Sequence, residues 1–469
     1  MLKKTCSVEN PLSLVPIFLR RISTDEYSPV PYTNDHLRAI ARVKDTLVNL
    51  NDQNQIPTIR RAQNRLGTAA GLRSLNEVGG FEYYRVPEDA EKDQSAAEEI
   101  FRGKPAIDVQ THFQAPHSFK LWPRQYTESF YRETQPDWWI ELDTIGEYDL
   151  AAYIRKIFIE TENAVAVLTS GPGVDESRHV FNDEMAATRK LFNTMAGTGR
   201  LYNHSLVHAY QANEMASMED WAKTYSPVGW KVYTFGELQD GVWKYPWNLT
   251  DENVGIPFLE KARSTGVKLV CAHKGLSGMV NNGSPADIGP SAVAYPDLNF
   301  VIYHSGYELP TDAPPEGPYD PDNPGPGIDR LLDTMRVSGL GLGSNVYAEL
   351  GTTWFNLIRN PEQAAHSIGK LLKYMGEDNV IWGTDSIWYG GAQPLLDAFR
   401  VFQIPERLSE QYGYPQLTPE IKAKVLYGNA ARVYGIDYEA ACVAYENDDL
   451  AWARKILADY EAGDLNILR

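Results

Sequence analysis

The chain of 469 residues is acidic, with a formal net charge of −18. So acidic a protein is not expected to bind nucleic acids or anionic membrane surfaces, which attract clusters of lysine and arginine. Its three cysteines are widely spaced, which argues against a disulfide framework or a zinc ribbon and favours a reducing compartment such as the cytoplasm. No apolar run is long enough to predict a membrane span.

The first 104 residues contain no motif with recognisable chemistry. Residues 34–50 carry apolar side chains at spacings of three and four, which predicts an amphipathic helix. Residues 60–75 are basic and polar, and Gly67 and Gly71 are expected to interrupt a helix there. We expect residues 1–104 to form an extension that covers the following domain or contacts another subunit.

From residue 105 onward, apolar runs alternate with helical patterns, which predicts parallel βαβ units. The candidate strands lie near residues 107, 165, 203, 231, 270, 301, 347 and 381. Their number and order predict an α/β fold, a (β/α)8 TIM barrel with an N-terminal extension and a C-terminal helical tail. The predicted domains are the extension 1–104, the barrel 105–436 and the tail 437–469.

Polar side chains stand at the ends of the predicted strands, where (β/α)8 barrels carry their functional groups. These residues are Gln110, His112, Lys231, His273, His304, Glu349 and Asp385. Gln110 and His112 also project to one face of their strand, together with Asp108, because side chains at i and i+2 share a face. Each residue alone could be an ordinary core or capping residue. Their occurrence on successive strand ends favours a common site.

Five stretches of the chain resemble the amidohydrolase superfamily, in its amidohydrolase-2 branch of aminocarboxymuconate-semialdehyde decarboxylase-like enzymes. Residues 267–273 (VKLVCAH) resemble the fifth strand of the family, whose last histidine binds the metal. Residues 295–306 (YPDLNFVIYHSG) resemble the sixth strand, whose histidine acts on the substrate. Residues 380–385 (VIWGTD) resemble the eighth strand, whose aspartate faces the metal, and residues 428–432 (GNAAR) resemble the start of the closing helix. Residues 107–113 (IDVQTHF) resemble the first strand, but their residues 110–112 (QTH) depart from the usual His-x-His or Glu-x-His there.

The resemblance implies a metal-dependent hydrolase or non-oxidative decarboxylase that acts on a small carboxylated or cyclic organic substrate. A donor set of imidazoles and a carboxylate suits a divalent transition metal, with Zn²⁺ as the first choice and Fe²⁺ or Mn²⁺ as alternatives. The amide of Gln110 would add a neutral and weaker donor. The implied residues are the metal ligands Gln110, His112, His273 and Asp385, the catalytic residues His304 and Asp385, and two residues for a second metal or the substrate, Lys231 and Glu349.

Two other functions remain open for such a sequence. One is a dinuclear iron or manganese oxygenase on the same barrel, and the other is a metal-binding partner subunit of such an enzyme. The expected partners are a small-molecule substrate and either further copies of this chain or a paralogous chain. The expected location is the cytoplasm.

Overall fold

The strands alternate with helices along most of the chain. The computed structural model describes residues 15–24, 27, 29–50, 64–118, 148–174, 177–239, 242–277 and 280–461. Its strands are β1 (Ala106–Thr111), β2 (Asn163–Leu168), β3 (Leu201–Asn203), β4 (Ser205–Leu206), β5 (Trp230–Tyr233), β6 (Glu237–Gln239), β7 (Val242–Lys244), β8 (Leu269–His273), β9 (Asn299–Tyr303), β10 (Val346–Glu349) and β11 (Val380–Ile381).

The parallel strands close into a ring. One sheet has the order β1-β2-β3 and the other has the order β11-β10-β9-β8-β5-β4. Only His204 separates β3 from β4, so the two occupy one strand position and join the sheets. On the other side, the N–H of Asp385 donates to the Gln110 carbonyl at 2.9 Å and the N–H of His112 donates to the Ser386 carbonyl. Eight strand positions therefore form a closed barrel, which confirms the (β/α)8 fold and the predicted strand positions.

Helices surround the barrel, and the β6–β7 hairpin is antiparallel and lies outside the ring. No helix among the described residues is long and apolar enough to cross a membrane. The α-helices are α1 (Asn34–Asn49), α2 (Arg65–Gly79), α3 (Gln94–Ile100), α4 (Leu150–Ile154), α5 (Asn182–Ala196), α6 (Ala212–Tyr225), α7 (Gly255–Thr265), α8 (Ile288–Ala294), α9 (Ile328–Val337), α10 (Thr353–Ile358), α11 (Pro361–Tyr374), α12 (Gln393–Val401), α13 (Glu406–Tyr412), α14 (Pro419–Ala423), α15 (Asn429–Tyr434), α16 (Tyr438–Asn447) and α17 (Ala451–Glu461). The π-helical turn Arg155–Ile159 follows α4. A further π-helical turn, Lys424–Gly428, joins α14 to α15.

The described part of the N-terminal extension packs on the barrel's outer helices. Helix α1 begins where the Thr33 hydroxyl accepts the N–H of His36, and its apolar face is buried. The His36 ring lies 3.0 Å from the Arg359 carbonyl, and the Tyr84 hydroxyl donates to the Ile358 carbonyl at 2.6 Å. Both carbonyls belong to the end of α10, so the extension and the barrel share buried contacts. The domain boundaries given above stay predictions.

Helix α2 contradicts the expected interruption at Gly67 and Gly71, because it runs without a break from Arg65 to Gly79. A Cβ atom on Gly71 would lie 2.8 Å from a carbon of Pro16 and 3.0 Å from a carbon of Phe18. The missing side chain thus lets the segment before α1 pack directly on α2. The burial of this helix face offsets the poor helix propensity of glycine.

Replacing Gly71 with alanine should lower the free energy of unfolding by about 1–3 kcal/mol, because the new methyl group forces the packed segment at Pro16 outward. Gly79 lies in the same helix, and a Cβ atom there meets no atom within 4 Å. Gly79→Ala should therefore be neutral or stabilise the protein by up to about 1 kcal/mol through helix propensity. Urea denaturation of both variants makes the comparison, and equal losses would contradict the packing argument.

Candidate active site

The polar residues predicted at the strand ends lie at the carboxyl end of the barrel, except Lys231. Lys231 is the second residue of β5 and is paired with Cys271 in the middle of β8, so its predicted position at a strand end was wrong. Each of the predicted residues has between 0% and 2% of its surface exposed. They are Gln110 and His112 at the end of β1, Lys231 in β5, His273 at the end of β8, His304 just after β9, Glu349 at the end of β10 and Asp385 just after β11. Hydrogen bonds, an ion pair and a ring contact join most of them through Asp385, Gly351 and the ring of His304.

The carboxylate of Asp385 is the centre of the site. Its Oδ1 accepts a hydrogen bond from Gln110 Nε2 at 2.9 Å and lies 3.0 Å from His112 Nε2. Its Oδ2 accepts a hydrogen bond from the Thr352 hydroxyl. Burial alone raises the pKa of Asp385, but the contact with His112 and the hydrogen bond from Thr352 outweigh it and hold the pKa below its ordinary value. The carboxylate is therefore ionised and acts as an acceptor on every side.

The amide of Gln110 is oriented by Asp385. Since a carboxylate only accepts hydrogen bonds, the Nε2 group must face it, and Oε1 points away. Among the residues that the structure describes, the buried Oε1 has no hydrogen-bond partner. It lies beside Gly351, where a side chain would overlap it, and a side chain on Gly383 would overlap the neighbouring Glu349. A buried carbonyl oxygen without a partner is costly. Gln110 Oε1 is thus an open acceptor atom inside the site.

Glu349 binds backbone groups of its neighbours. One carboxyl oxygen accepts the N–H of Gly351 at 2.6 Å and the other accepts the N–H of His304 at 3.2 Å. Burial raises the pKa of Glu349 well above its ordinary value, although these two hydrogen bonds act in the opposite direction. The side chain thus fixes the turns that follow β9 and β10.

His273 and His304 lie edge to face, with ring centroids 4.5 Å apart. His304 Nδ1 is 2.8 Å from the Gly351 carbonyl. Because a carbonyl only accepts, Nδ1 carries the hydrogen and Nε2 is the acceptor of the neutral ring. Burial, and then the charge of Lys231, lower the pKa of His273 well below its ordinary value, so this imidazole is neutral.

Lys231 lies against aromatic rings inside the barrel. Its Nζ is 3.6 Å from the ring centroid of Tyr303 and 4.6 Å from that of Tyr233. Such cation–π contacts stabilise a buried ammonium group. The hydroxyl of Tyr303 in turn donates to the Val109 carbonyl at 2.8 Å, which ties β9 to β1 across the barrel.

Three residues of this region were not among the predicted site residues. The Thr352 hydroxyl binds Asp385, and His179 lies beside Trp388, whose ring stacks on His112 at 5.7 Å. Asp108 accepts the N–H and the hydroxyl of Thr384 at 3.0 and 2.5 Å, and burial raises its pKa to about 7. Only Asp108 had a signal in the sequence, its alternation with Gln110 and His112.

The side chains of the site differ in how far their arrangement and their chemistry fit a metal ion. Among the residues that the structure describes, no group of three or more His, Cys, Asp or Glu side chains is arranged to hold one. The chemistry of the donors fits, because imidazole, carboxylate and an open amide oxygen lie together in a buried site. We conclude that the residues suit a divalent transition metal, with their side chains here drawn together by hydrogen bonds.

Several solved structures are similar to this chain. An uncharacterised TIM-barrel protein from Bordetella bronchiseptica has 16% identity and a TM-score of 0.47, covering 72% of this chain and 99% of the other. 2,6-Dihydroxybenzoate decarboxylase from Rhizobium has 14% identity and a TM-score of 0.40, covering 71% and 100%. A putative 2-pyrone-4,6-dicarboxylic acid hydrolase from Pseudomonas putida has 16% identity and a TM-score of 0.41, covering 72% and 99%. These likenesses are distant.

The sequence itself gives the family. No curated protein matches the chain. The sequence model of the amidohydrolase family matches residues 107–436, which is most of the 469 residues and covers every strand of the barrel except the first residue of β1. The match supports the general kind of function predicted from the sequence, an enzyme of the amidohydrolase type. The chain belongs to the amidohydrolase family, in its amidohydrolase-2 branch.

Proposed function

We propose that the protein is a metal-dependent hydrolase or non-oxidative decarboxylase that acts on a small carboxylated or cyclic organic molecule. The observation that carries the proposal is the buried, ionised carboxylate of Asp385 with Gln110 and His112 against it, at the carboxyl end of the barrel. Active sites of (β/α)8 enzymes lie at this end. The proposed setting is the cytoplasm, in an assembly with copies of this chain or with a paralogous chain.

Three side chains would hold the metal. These are His112, His273 and Asp385, with Gln110 Oε1 as a fourth, neutral donor. When bound, a divalent ion such as Zn²⁺, or alternatively Fe²⁺ or Mn²⁺, supplies polarisation of a substrate oxygen or a more acidic water. The neutral state of His273 supports its assignment, because only a neutral imidazole offers a ring nitrogen to a metal.

His304 is the proposed proton-transfer group. Its Nδ1–H is held by the Gly351 carbonyl, which fixes the ring and stabilises its protonated form once Nε2 has taken up a proton. In hydrolysis, Nε2 would accept a proton from the attacking water and return it to the leaving group. In decarboxylation, His304 would deliver a proton to the carbon atom that loses carbon dioxide. Glu349 supports this role by holding the backbone of His304.

The contacts of Glu349 favour a single metal ion over a dinuclear oxygenase. Both of its oxygens accept backbone N–H groups, and its raised pKa favours the uncharged acid, which is a poor metal ligand. The charge of Lys231 is directed at the ring of Tyr303. These contacts support one metal ion, and the role of Lys231 and Glu349 toward a second metal or the substrate stays a prediction.

His112→Ala and His273→Ala should each lower the metal content of the purified protein, because each removes a nitrogen donor from a buried site. His366 provides a matched control, since it is also buried but its ring contacts the Tyr414 hydroxyl at 3.0 Å, away from the strand ends. Elemental analysis of full-length protein loaded with Zn²⁺ or Mn²⁺ measures the effect. Unchanged metal content in His112→Ala, or an equal loss in His366→Ala, would remove the ligand assignment.

His304→Gln should keep the metal and lower kcat by about 10²–10⁴-fold, because an amide cannot take up and release the proton. The assay measures release of carbon dioxide from aromatic carboxylates and hydrolysis of lactones and amides. If His304→Gln loses the metal while His273→Gln keeps it, the two roles are reversed. Two metal ions per chain with consumption of O₂ would favour the oxygenase, and copurification of an inactive chain with a paralogue would favour the partner subunit.

Gln110→His should bind metal as well as or more tightly than the wild type and turn over more slowly. Imidazole is the stronger donor, but the substitution removes the amide N–H that holds Asp385. Metal content and turnover are measured together on both proteins. If Gln110→His turns over faster than the wild type, the amide of Gln110 does not contribute to catalysis.

A further inference from the structure

A chain of hydrogen bonds joins Asp385 to the N-terminal extension. The Thr352 hydroxyl donates to Asp385 Oδ2 and lies 2.7 Å from the hydroxyl of Tyr389. The Tyr389 hydroxyl lies 3.0 Å from that of Tyr27, which also accepts a hydrogen bond from Asn356 Nδ2 at 3.1 Å. Tyr27 precedes residues 107–436, so it lies outside the part of the chain that matches the family.

The chemistry of the two ends fixes the direction of every bond. At one end, Arg359 is a donor only, and its guanidinium donates to Asn356 Oδ1 at 3.5 Å. The amide nitrogen of Asn356 must then face Tyr27. At the other end, the carboxylate of Asp385 is an acceptor only.

The hydroxyl hydrogens therefore all point the same way. Tyr27 accepts from Asn356 and donates to Tyr389, Tyr389 donates to Thr352, and Thr352 donates to Asp385. Hydrogen bonds aligned head to tail polarise and strengthen one another, most of all where water is excluded. This series of hydrogen bonds therefore strengthens the last one, which Thr352 donates to Oδ2 of Asp385.

The surroundings hold this chain rigid. The ring of Tyr389 stacks on Phe355 at 3.8 Å with 13° between the planes. Thr352 and Asp385 both have left-handed backbones, with φ values of 59° and 60°, although neither is glycine. Non-glycine residues keep this conformation only where their surroundings enforce it. The bond between their side chains is one such constraint, and it occupies Oδ2 while Oδ1 faces Gln110 and His112.

We propose that Tyr27 is a positioning residue of the active site, which fixes the orientation of the Asp385 carboxylate through Tyr389 and Thr352. The N-terminal extension then contributes a hydroxyl group to the hydrogen bonds that hold the active-site carboxylate in the barrel. The positioning of Asp385 follows from the hydrogen bonds alone, and its effect on metal binding rests on the proposed function.

The variant Tyr27→Phe tests the proposal, because it removes the hydroxyl and keeps the ring. Tyr32→Phe is the matched control, since the Tyr32 hydroxyl also belongs to the extension but donates to the Leu19 carbonyl at 3.0 Å. The first measurement is urea denaturation of the full-length protein treated with a chelator, for each variant alone and combined with Asp385→Asn. Tyr27→Phe should lower the free energy of unfolding, and this decrease should be half as large or smaller when Asp385→Asn is also present. The decrease caused by Tyr32→Phe should be the same with and without Asp385→Asn.

If the decreases in the free energy of unfolding caused by Tyr27→Phe and Asp385→Asn simply add up, the proposal is overturned. It is also overturned if Tyr32→Phe deviates from additivity with Asp385→Asn as much as Tyr27→Phe does. If Tyr27→Phe does not fold, Tyr389→Phe replaces it, because that variant breaks the same bond from the other side. The second measurement is binding of Co²⁺ and its visible spectrum. Tyr27→Phe should weaken Co²⁺ binding about tenfold and shift the spectrum, and Tyr32→Phe should do neither. If Asp385→Asn binds Co²⁺ like the wild type, the proposed metal function fails, and the coupling measurement still decides the role of Tyr27.

Discussion

The carboxylate of Asp385 is a buried negative charge, and the arrangement of its neighbours follows from that fact. Burial of an unpaired ion costs several kcal/mol, which hydrogen bonds must offset. Here Gln110 and His112 contact one oxygen, and Thr352 donates to the other. These groups come from β1 and from the turn after β10, while Asp385 follows β11. The charge therefore holds three neighbouring strand ends together.

Three successive strand ends also share a backbone feature. His304, Thr352 and Asp385 follow β9, β10 and β11, and each has a positive φ although none is glycine. Such a conformation is costly and persists only where the surrounding structure enforces it. Glycine supplies the space, because side chains at Gly351 or Gly383 would overlap Gln110 or Glu349. The strain and the missing side chains thus serve the same packing.

Much of this fold is readable from the sequence, because it depends on local patterns. The apolar runs give the strand positions, and the residues that follow them give the histidines and Asp385. Helix α2 was predicted wrongly, since the value of Gly71 comes from its contact with Pro16 and Phe18 rather than from propensity. Thr352 and Tyr27 carry no local signal, because their partners are 33 and 362 positions away. The sequence predicted Gln110 as a site residue, but the orientation of its amide depends on Asp385, which is far away in the sequence.

The charge of the donor set bears on the kind of substrate. Among the proposed ligands, His273 is neutral and Gln110 carries no charge, which leaves Asp385 as the negative group. The raised pKa of the neighbouring Glu349 favours its uncharged form. A divalent ion held by such a set keeps a net positive charge in a buried site, where charges interact strongly. A Glu-x-His pair on the first strand would cancel that charge, whereas Gln110 leaves it. Under the proposed function, an anionic group on the substrate would balance this charge, so the proposal favours a carboxylated molecule over a neutral one, even though the protein as a whole carries a charge of −18.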